Sequence, residues 1–317
     1  MLLCCGEALI DMISAPTENG TIGFVPHAGG ALFNTAIGLG RLGVNAGFLS
    51  GVSSDLFGQQ IRAELQKSNV DISLLCLSDR PTTLAFVHLI DGQANYSFYD
   101  ENSAGRSLDP GDFPPVPDAV SALYFGGISL AGEPGATAYA ALCAQEHDKR
   151  VVMLDPNIRA DFIQNEQAYR ARLARMISQS DIVKVSDEDL DWLISGEDSS
   201  NEKARSLLKD GPKIVILTCG SAGATGFHNN GYEVSVPVPR VDVIDTVGAG
   251  DTFNAGFLAK LSQLKLLSKD QLLTISEEDL EQALSYGAQV AAITVTRAGA
   301  NPPWANEVKA CSLSAEN

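Results

Sequence analysis

Positive charge is scarce in this chain of 317 residues: 22 Lys and Arg stand against 39 Asp and Glu, a formal net charge of −17. That balance offers no basic stripe to nucleic acid and no polybasic segment to a membrane surface. An anionic ligand must therefore be held locally, by backbone N–H groups, a few cations or a metal. The six cysteines (Cys4, Cys5, Cys76, Cys143, Cys219 and Cys311) form no CxxC pair and have no His in metal-ligand register. Most lie in apolar runs, which reads as buried free thiols in a reducing, cytoplasmic setting. No run of about 18 apolar residues occurs, so no transmembrane helix is expected. The start, MLLCCGEALIDMI, lacks a basic opening and carries Glu7 and Asp11, so it reads as a buried strand and not as a signal peptide. No GxxxxGK(S/T) phosphate loop, internal repeat or low-complexity tract is found.

What is present is a globular composition, 45% hydrophobic, long enough to bury a large core in one domain or two. Residues 2–10 read as a first strand, followed by a helix over 31–42 that Gly43 ends. A strand near 48–51 precedes a second helix capped by Asp55. Residues 72–77, 82–90 and 94–99 break this rhythm with strand patterns, and Asp91-Gly92 marks a hairpin turn. From 122 onward, short strands (122–125, 151–154, 182–185, 214–217) alternate with helices (134–147, 165–179, 187–194, 201–209). A two-strand pattern through 223–236 and helices over 248–262 and 277–293 close the core, and the tail after Trp304 has weak pattern. Such alternation predicts a mostly parallel α/β sheet covered on both faces, with residues 12–25 and 72–104 forming a small sheet apart from a core of 1–11, 26–71 and 105–317.

The most informative segment is Asp245-Thr246-Val247-Gly248-Ala249-Gly250-Asp251, expected between a strand over 234–243 and a helix. A Gly-rich turn opening a helix points free N–H groups at the positive end of the helix dipole, where phosphate oxygens bind. Asp251, on the first turn, can accept a proton from an alcohol placed beside that phosphate. On spacing alone, a tight turn with a capping carboxylate is the competing reading. Gly38-Leu39-Gly40-Arg41-Leu42-Gly43 matches GxGxxG, but it closes a helix, whereas a dinucleotide loop must open one. Gly29-Gly30 ahead of the helix bearing Asn34, with Asp11 just past the first strand, supplies an acid and an amide suited to a polyol. Each alone is equally a helix-start turn or a surface acid.

At these residues the sequence resembles the PfkB (ribokinase-like) carbohydrate kinases. The resemblance rests on Gly29-Gly30-Ala31-Leu32-Phe33-Asn34-Thr35-Ala36 with Arg41-Leu42-Gly43, and on Asp245 through Asp251. Gly6-Glu7 to Asp11, and Thr218-Cys219-Gly220 with Gly223, also fit. It implies a doubly wound α/β core with a β lid, MgATP as donor and Asp251 as base. It places Gly248, Ala249 and Gly250 in the anion hole and Asp11, Gly29, Gly30 and Asn34 on the sugar. Phe98, Arg106 and Arg159 are expected at the substrate, although Arg159 alone also reads as a surface salt-bridge residue. Lys184, Ser186, Thr218, Gly220, Gly223 and Thr246 are expected, with the anion hole, at the nucleotide.

Asp155-Pro156-Asn157-Ile158-Arg159 is similar to a stretch of fructokinases and 2-keto-3-deoxygluconate kinases, and the start of the chain leans toward fructokinases. Fructose is thus the expected acceptor and 2-keto-3-deoxygluconate the alternative. A non-catalytic sugar or nucleotide sensor on the same fold is the reading from another class. Two departures bear on metals. The family's NxxE reads Ser186-Asp187-Glu188-Asp189, with Asp189 expected to reach magnesium through water. The family's GAxxSxP reads Gly299-Ala300-Asn301-Pro302-Pro303-Trp304-Ala305, and Pro303 puts potassium activation in question, with Asp245 as the monovalent-cation candidate. A homodimer through the lid hairpin is the partner expectation.

Overall fold

The structure is a computed structural model and describes residues 1–90 and 93–315. The expected Asp91-Gly92 turn lies outside the described residues. A nine-stranded sheet runs in the order Glu233–Val236, Ala224–His228, Ile214–Thr218, Ile182–Ser186, Val151–Asp155, Ala122–Gly126, Leu2–Cys5, Ala46–Leu49, Val70–Asp71. The seven strands from Ile214–Thr218 to Val70–Asp71 are parallel, and the two at the other edge are antiparallel. The central strands are continuous apolar runs because both faces are covered. Alternation splits them between two cores. Leu2 and Cys4 join the helices Ala31–Arg41, Ala249–Gln263 and Glu277–Thr294, while Leu3 and Cys5 join Gly135–Glu146 and Glu166–Ser178.

Strands are added away from Leu2–Cys5 in both directions. Ala46–Leu49 and Val70–Asp71 lie on one side; Ala122–Gly126 and its successors lie on the other. The winding therefore reverses between Leu2–Cys5 and Ala122–Gly126. Chains leaving two such strands diverge to opposite faces and open a crevice at their carboxyl ends.

Over that crevice stands a second sheet of four strands, Ile22–Gly29, Leu9–Pro16, Leu84–Ile90 and Gln93–Tyr99 in that order. Its boundaries differ from the expected ones. The first apolar run breaks at 6–8, so Leu9 to Asp11 already belongs to the small sheet, as do Pro26 to Gly29. The strand expected at 72–77 lies at Cys76–Ser78 and pairs with Gly51–Ser53 in a separate two-stranded sheet. The strand expected over 234–243 stops at Val236, before the exposed run through Arg240. The tail is more ordered than its pattern suggested: helix Ala305–Ala315 is tied down by buried Val308 and by an Arg297–Glu307 ion pair of 2.6 Å.

Candidate active site

The helix Ala249–Gln263 begins at Gly248, whose φ of +77° is a left-handed conformation that glycine adopts without strain. A Cβ at Gly248 would also meet the Cβ of Ala300 at 2.5 Å, so this turn rests directly on the loop at 299–303. Asp245 ties the two together: Oδ1 accepts from the Val247 N–H at 3.0 Å and Oδ2 from the Gly299 N–H at 2.8 Å. Arg41 holds the same loop from the other side, donating to Asn301 Oδ1 and to the Pro302 carbonyl, each at 2.7 Å. The first N–H groups of the helix are left free of intrahelical partners at a fixed, Cβ-free turn.

Asp251 is buried on the first helical turn, and Asn34 Nδ2 donates to its Oδ2 at 2.9 Å. Thr35 Oγ1 donates to the Asp251 carbonyl at 3.0 Å, so helix Ala31–Arg41 is stitched to helix Ala249–Gln263 at this point. Burial raises the Asp251 carboxyl to about 6; the Asn34 bond opposes the rise and the charge of Asp155 adds to it. Asp11 is likewise raised to about 6, first by burial and then by the Asp251 charge. Two acids that line one cleft, each raised to about 6, are thus largely ionised at neutral pH and able to accept protons.

A cleft of about 320 Å³ gathers residues from seven segments of the chain. Asp11, Gly30 and Asn34 are there, with Phe98, Arg159, Lys184 and the run Thr246 to Asp251. Gly29 lies just beneath, against the Asp11 carboxylate. Lys184 Nζ is paired with Asp155 Oδ2 at 3.1 Å, and Asn254 donates to the same oxygen at 2.7 Å. Burial would lower the Lys184 pKa, but the carboxylates of Asp155 and Asp189 outweigh it and hold the ammonium protonated. This cation lies 3.5 Å from the position a Gly250 Cβ would take, beside the helix start. Arg159 reaches the cleft from its loop and donates to the carbonyls of Asn157 and Ile158.

On the other side of the Gly248 turn lies a second, mainly apolar cavity of about 620 Å³. Thr218, Gly220 and Gly223 line one wall, Val238 to Val241 and Val243 another, and Ala288, Ala291, Ala292 and Val295 the floor. Thr246, Ala249 and Gly250 belong to both cavities. A flat apolar slot joined to a polar cleft by free N–H groups suits a nucleoside triphosphate with its base in the slot and its terminal phosphate at the turn.

Three expected residues lie elsewhere. Arg106 lines an adjoining depression, paired with Asp100 at 3.0 Å and donating to the Glu133 carbonyl. Ser186 and Asp189 line neither cavity and form a reciprocal cap on helix Asp187–Leu193: Ser186 Oγ accepts the Asp189 N–H, and Asp189 Oδ2 accepts the Ser186 N–H. The second Asp189 oxygen accepts the Ile158 N–H at 2.7 Å. The structure also brings in residues that spacing did not assign, among them Glu7, Gly127, Ile128, Asn157 and Phe162. For Glu7 a signal existed, an acid inside an otherwise apolar opening; the apolar walls at 238–243 and 288–295 look like ordinary loop and core.

A buried carboxylate at a Gly-rich helix start, between a polar cleft and an apolar slot, defines an enzyme that moves a phosphoryl group to a small alcohol. Residues 1–307 match the pattern of the pfkB family carbohydrate kinases, and the chain belongs to that family. It is 48% identical over 281 residues to a fructokinase of Rhizobium leguminosarum bv. trifolii, covering 88% of this chain and 85% of that one. The fructokinase of Xylella fastidiosa, solved with bound ATP, superposes with a TM-score of 0.90 at 27% identity, covering 100% of this chain and 99% of that one. A double mutant of the Vibrio cholerae O395 fructokinase, solved with fructose, ADP and potassium, gives 0.82 at 27% identity, covering 94% and 93%.

Proposed function

We propose that this kinase transfers the γ-phosphoryl group of ATP to the 6-hydroxyl of fructose. The observation that carries the reading is Asp251, buried in the polar cleft beside Gly250, which both cavities share, with one carboxylate oxygen fixed by Asn34. Asp11 and Asn34 hold the sugar hydroxyls, and Phe98 packs on the apolar side of the ring. Asp251 takes the proton of the attacking hydroxyl as that oxygen moves in line toward the γ-phosphate. The N–H groups of Gly248, Gly250 and Asp251 and the Lys184 ammonium face the charge that develops on the transferred group. Thr218, Gly220, Gly223 and Thr246 border the nucleotide. The four-stranded sheet above the cleft excludes water when the sugar is bound.

An all-protein cage for magnesium does not fit the residues present. Among the described residues no three His, Cys, Asp or Glu side chains converge on a metal site. Both Asp189 oxygens accept backbone N–H groups. A magnesium ion arriving with ATP is held in this reading by phosphate oxygens and water.

Fructose is favoured over 2-keto-3-deoxygluconate by the 48% identity to a fructokinase. A sugar acid would need a cation for its carboxylate; of the two candidates, Arg106 stands outside the cleft in an ion pair with Asp100, while Arg159 lines it. Coupled ADP release with MgATP, compared across fructose, 2-keto-3-deoxygluconate, ribose and tagatose, tests the assignment. Fructose should lead in kcat/KM; a lead by the sugar acid would overturn the substrate, and sugar-independent background throughout would overturn the kinase reading.

A further inference from the structure

Glu7 is one of the few acids the fold buries, 8% exposed at the floor of the cleft. It follows the strand Leu2–Cys5, one of the two strands between which the winding reverses. Its carboxylate spans the crevice that this reversal opens. Oε1 accepts the N–H of Ala31, the first residue of the helix that carries Asn34, at 3.1 Å. Oε2 accepts the N–H of Ser129 at 3.2 Å, in the turn Gly127–Leu130 that follows the other strand, Ala122–Gly126.

The backbone around Glu7 is shaped to admit it. Gly127 has a φ of +64°, and a Cβ there would fall on the Glu7 carboxyl. Gly30, at φ +111°, would bring a Cβ within 2.9 Å of the Glu7 carbonyl. Helix Ala31–Arg41 has no side-chain cap at its N-cap, Gly30, so the Glu7 carboxylate serves one of its orphan donors from a distant part of the chain.

We propose that Glu7 is a positioning residue that clamps the two sides of the sugar cleft, the Asn34 helix and the 127–130 turn, to each other. Through Ala31 it sets the place of Asn34, and through Asn34 the orientation of the Asp251 carboxylate. The nucleotide cavity shares no wall with Ala31 or Ser129, so the clamp acts on the sugar and on turnover, not on ATP. A carboxylate is required because both partners are donors. Glutamine at this position keeps one acceptor and turns its NH2 group against the other N–H.

The inference rests on the kinase reading above, and its test separates the two. Glu7→Gln should weaken the sugar Kd and lower kcat, each by roughly tenfold or more, the scale of a lost charge-assisted hydrogen bond. The Kd for ATP should stay within about twofold of wild type. Gly127→Ala, which displaces the carboxyl without removing its charge, should reproduce the same split. Hydrogen exchange followed by mass spectrometry should show peptides containing Ala31 and Ser129 exchanging faster together in Glu7→Gln, at unchanged overall melting. A wild type without fructose turnover would sink the functional reading, while the exchange measurement would still decide the clamp. Unchanged exchange at both peptides, or equal weakening of sugar and ATP, overturns the proposal.

Discussion

Asn34 Nδ2 donates to Asp251 Oδ2 at 2.9 Å, joining residues 217 positions apart at the starts of two helices. The bond fixes one carboxylate oxygen and leaves Oδ1, which has no protein donor among the described residues, to a substrate hydroxyl. Asp251→Asn can keep the Asn34 bond through its amide oxygen, so the fold and the sugar site should survive. Loss of the base should lower kcat by roughly 10²–10⁴-fold. Steady-state rates with a sugar-binding titration check this. A kcat near wild type would remove Asp251 from the chemistry.

The acid limb of the reaction follows from the same carboxyl. With Asp251 raised to about 6, the base is ionised above that value, and kcat/KM should fall as pH drops through about 6. Asp11, also at about 6, and Glu7, raised by burial to about 7, titrate in the same range. The limb should therefore be steeper than a single proton gives. The stability sign is opposite. A carboxyl whose folded pKa lies above its unfolded value is best tolerated in acid, and its burial costs stability as pH rises through the interval between the two values. Asp251→Asn should thus raise Tm relative to wild type more at about pH 8 than at about pH 4. A Tm difference independent of pH would contradict the buried, raised carboxyl.

The α/β core was legible because periodicity carries it: buried strands read as short apolar runs and their helices as amphipathic stretches between caps. The Asp245–Asp251 turn was legible as a helix start because two glycines and an acid stand just ahead of a helical run, a spacing that fits a plain capping turn as well. What escaped was set by tertiary contact. Leu9 and Ile10 read as the end of a core strand, yet they pair with the small sheet because the chain breaks at Gly6 to Ala8 to let Glu7 turn inward. Asp189 has the residue type and position of a metal-ligand candidate, but only the structure shows its two oxygens already taken by Ser186 and Ile158. The apolar slot proposed for the nucleotide is lined by small apolar residues of the helix Glu277–Thr294 whose spacing is that of any core face.

Gly248 tests the anion hole without touching a charged group. Gly248→Ala imposes a φ of +77° on an L-residue, at a cost of about 1 kcal/mol, and drives its Cβ into Ala300. The turn must shift, and with it the N–H groups proposed to face the phosphate. kcat should fall roughly 10-fold or more while sugar binding is kept, since a displaced donor acts on transition-state charge. Activity within twofold of wild type would show that these N–H groups are not the oxyanion donors.

Asp189 distinguishes an anchor from a metal ligand. Asp189→Ala removes the half of the reciprocal cap that holds the Ser186 N–H, a loss of about 1 kcal/mol, keeps the Ser186 hydroxyl on the N–H of position 189, and frees the Ile158 N–H that holds the Arg159 loop. The KM for the sugar should rise and Tm should fall. The magnesium concentration for half-maximal activity, at saturating ATP, should change by less than about twofold, because the ion relies on phosphate and water. A large shift in magnesium requirement alone would make Asp189 a metal ligand after all.

The loop at 299–303 carries the last prediction, on potassium. A monovalent cation at such a site would act by ordering the loop beneath the anion hole. Here that loop already has three fixed supports: the Asp245 carboxylate on the Gly299 N–H, the Arg41 guanidinium on Asn301 and Pro302, and the packing of Ala300 under Gly248. The Arg41 guanidinium also lies 5.5 Å from the Trp304 ring centroid, a cation–π contact that keeps it in place. Position 303, being proline, offers no side-chain oxygen. Turnover should therefore differ by less than about twofold between potassium and tetramethylammonium chloride at equal ionic strength, since each support that is already built leaves less disorder for a bound ion to remove. Arg41→Met takes away two of the contacts and should lower kcat in both salts. An activation of wild type by potassium of about tenfold would show that the loop still depends on a bound ion despite these supports.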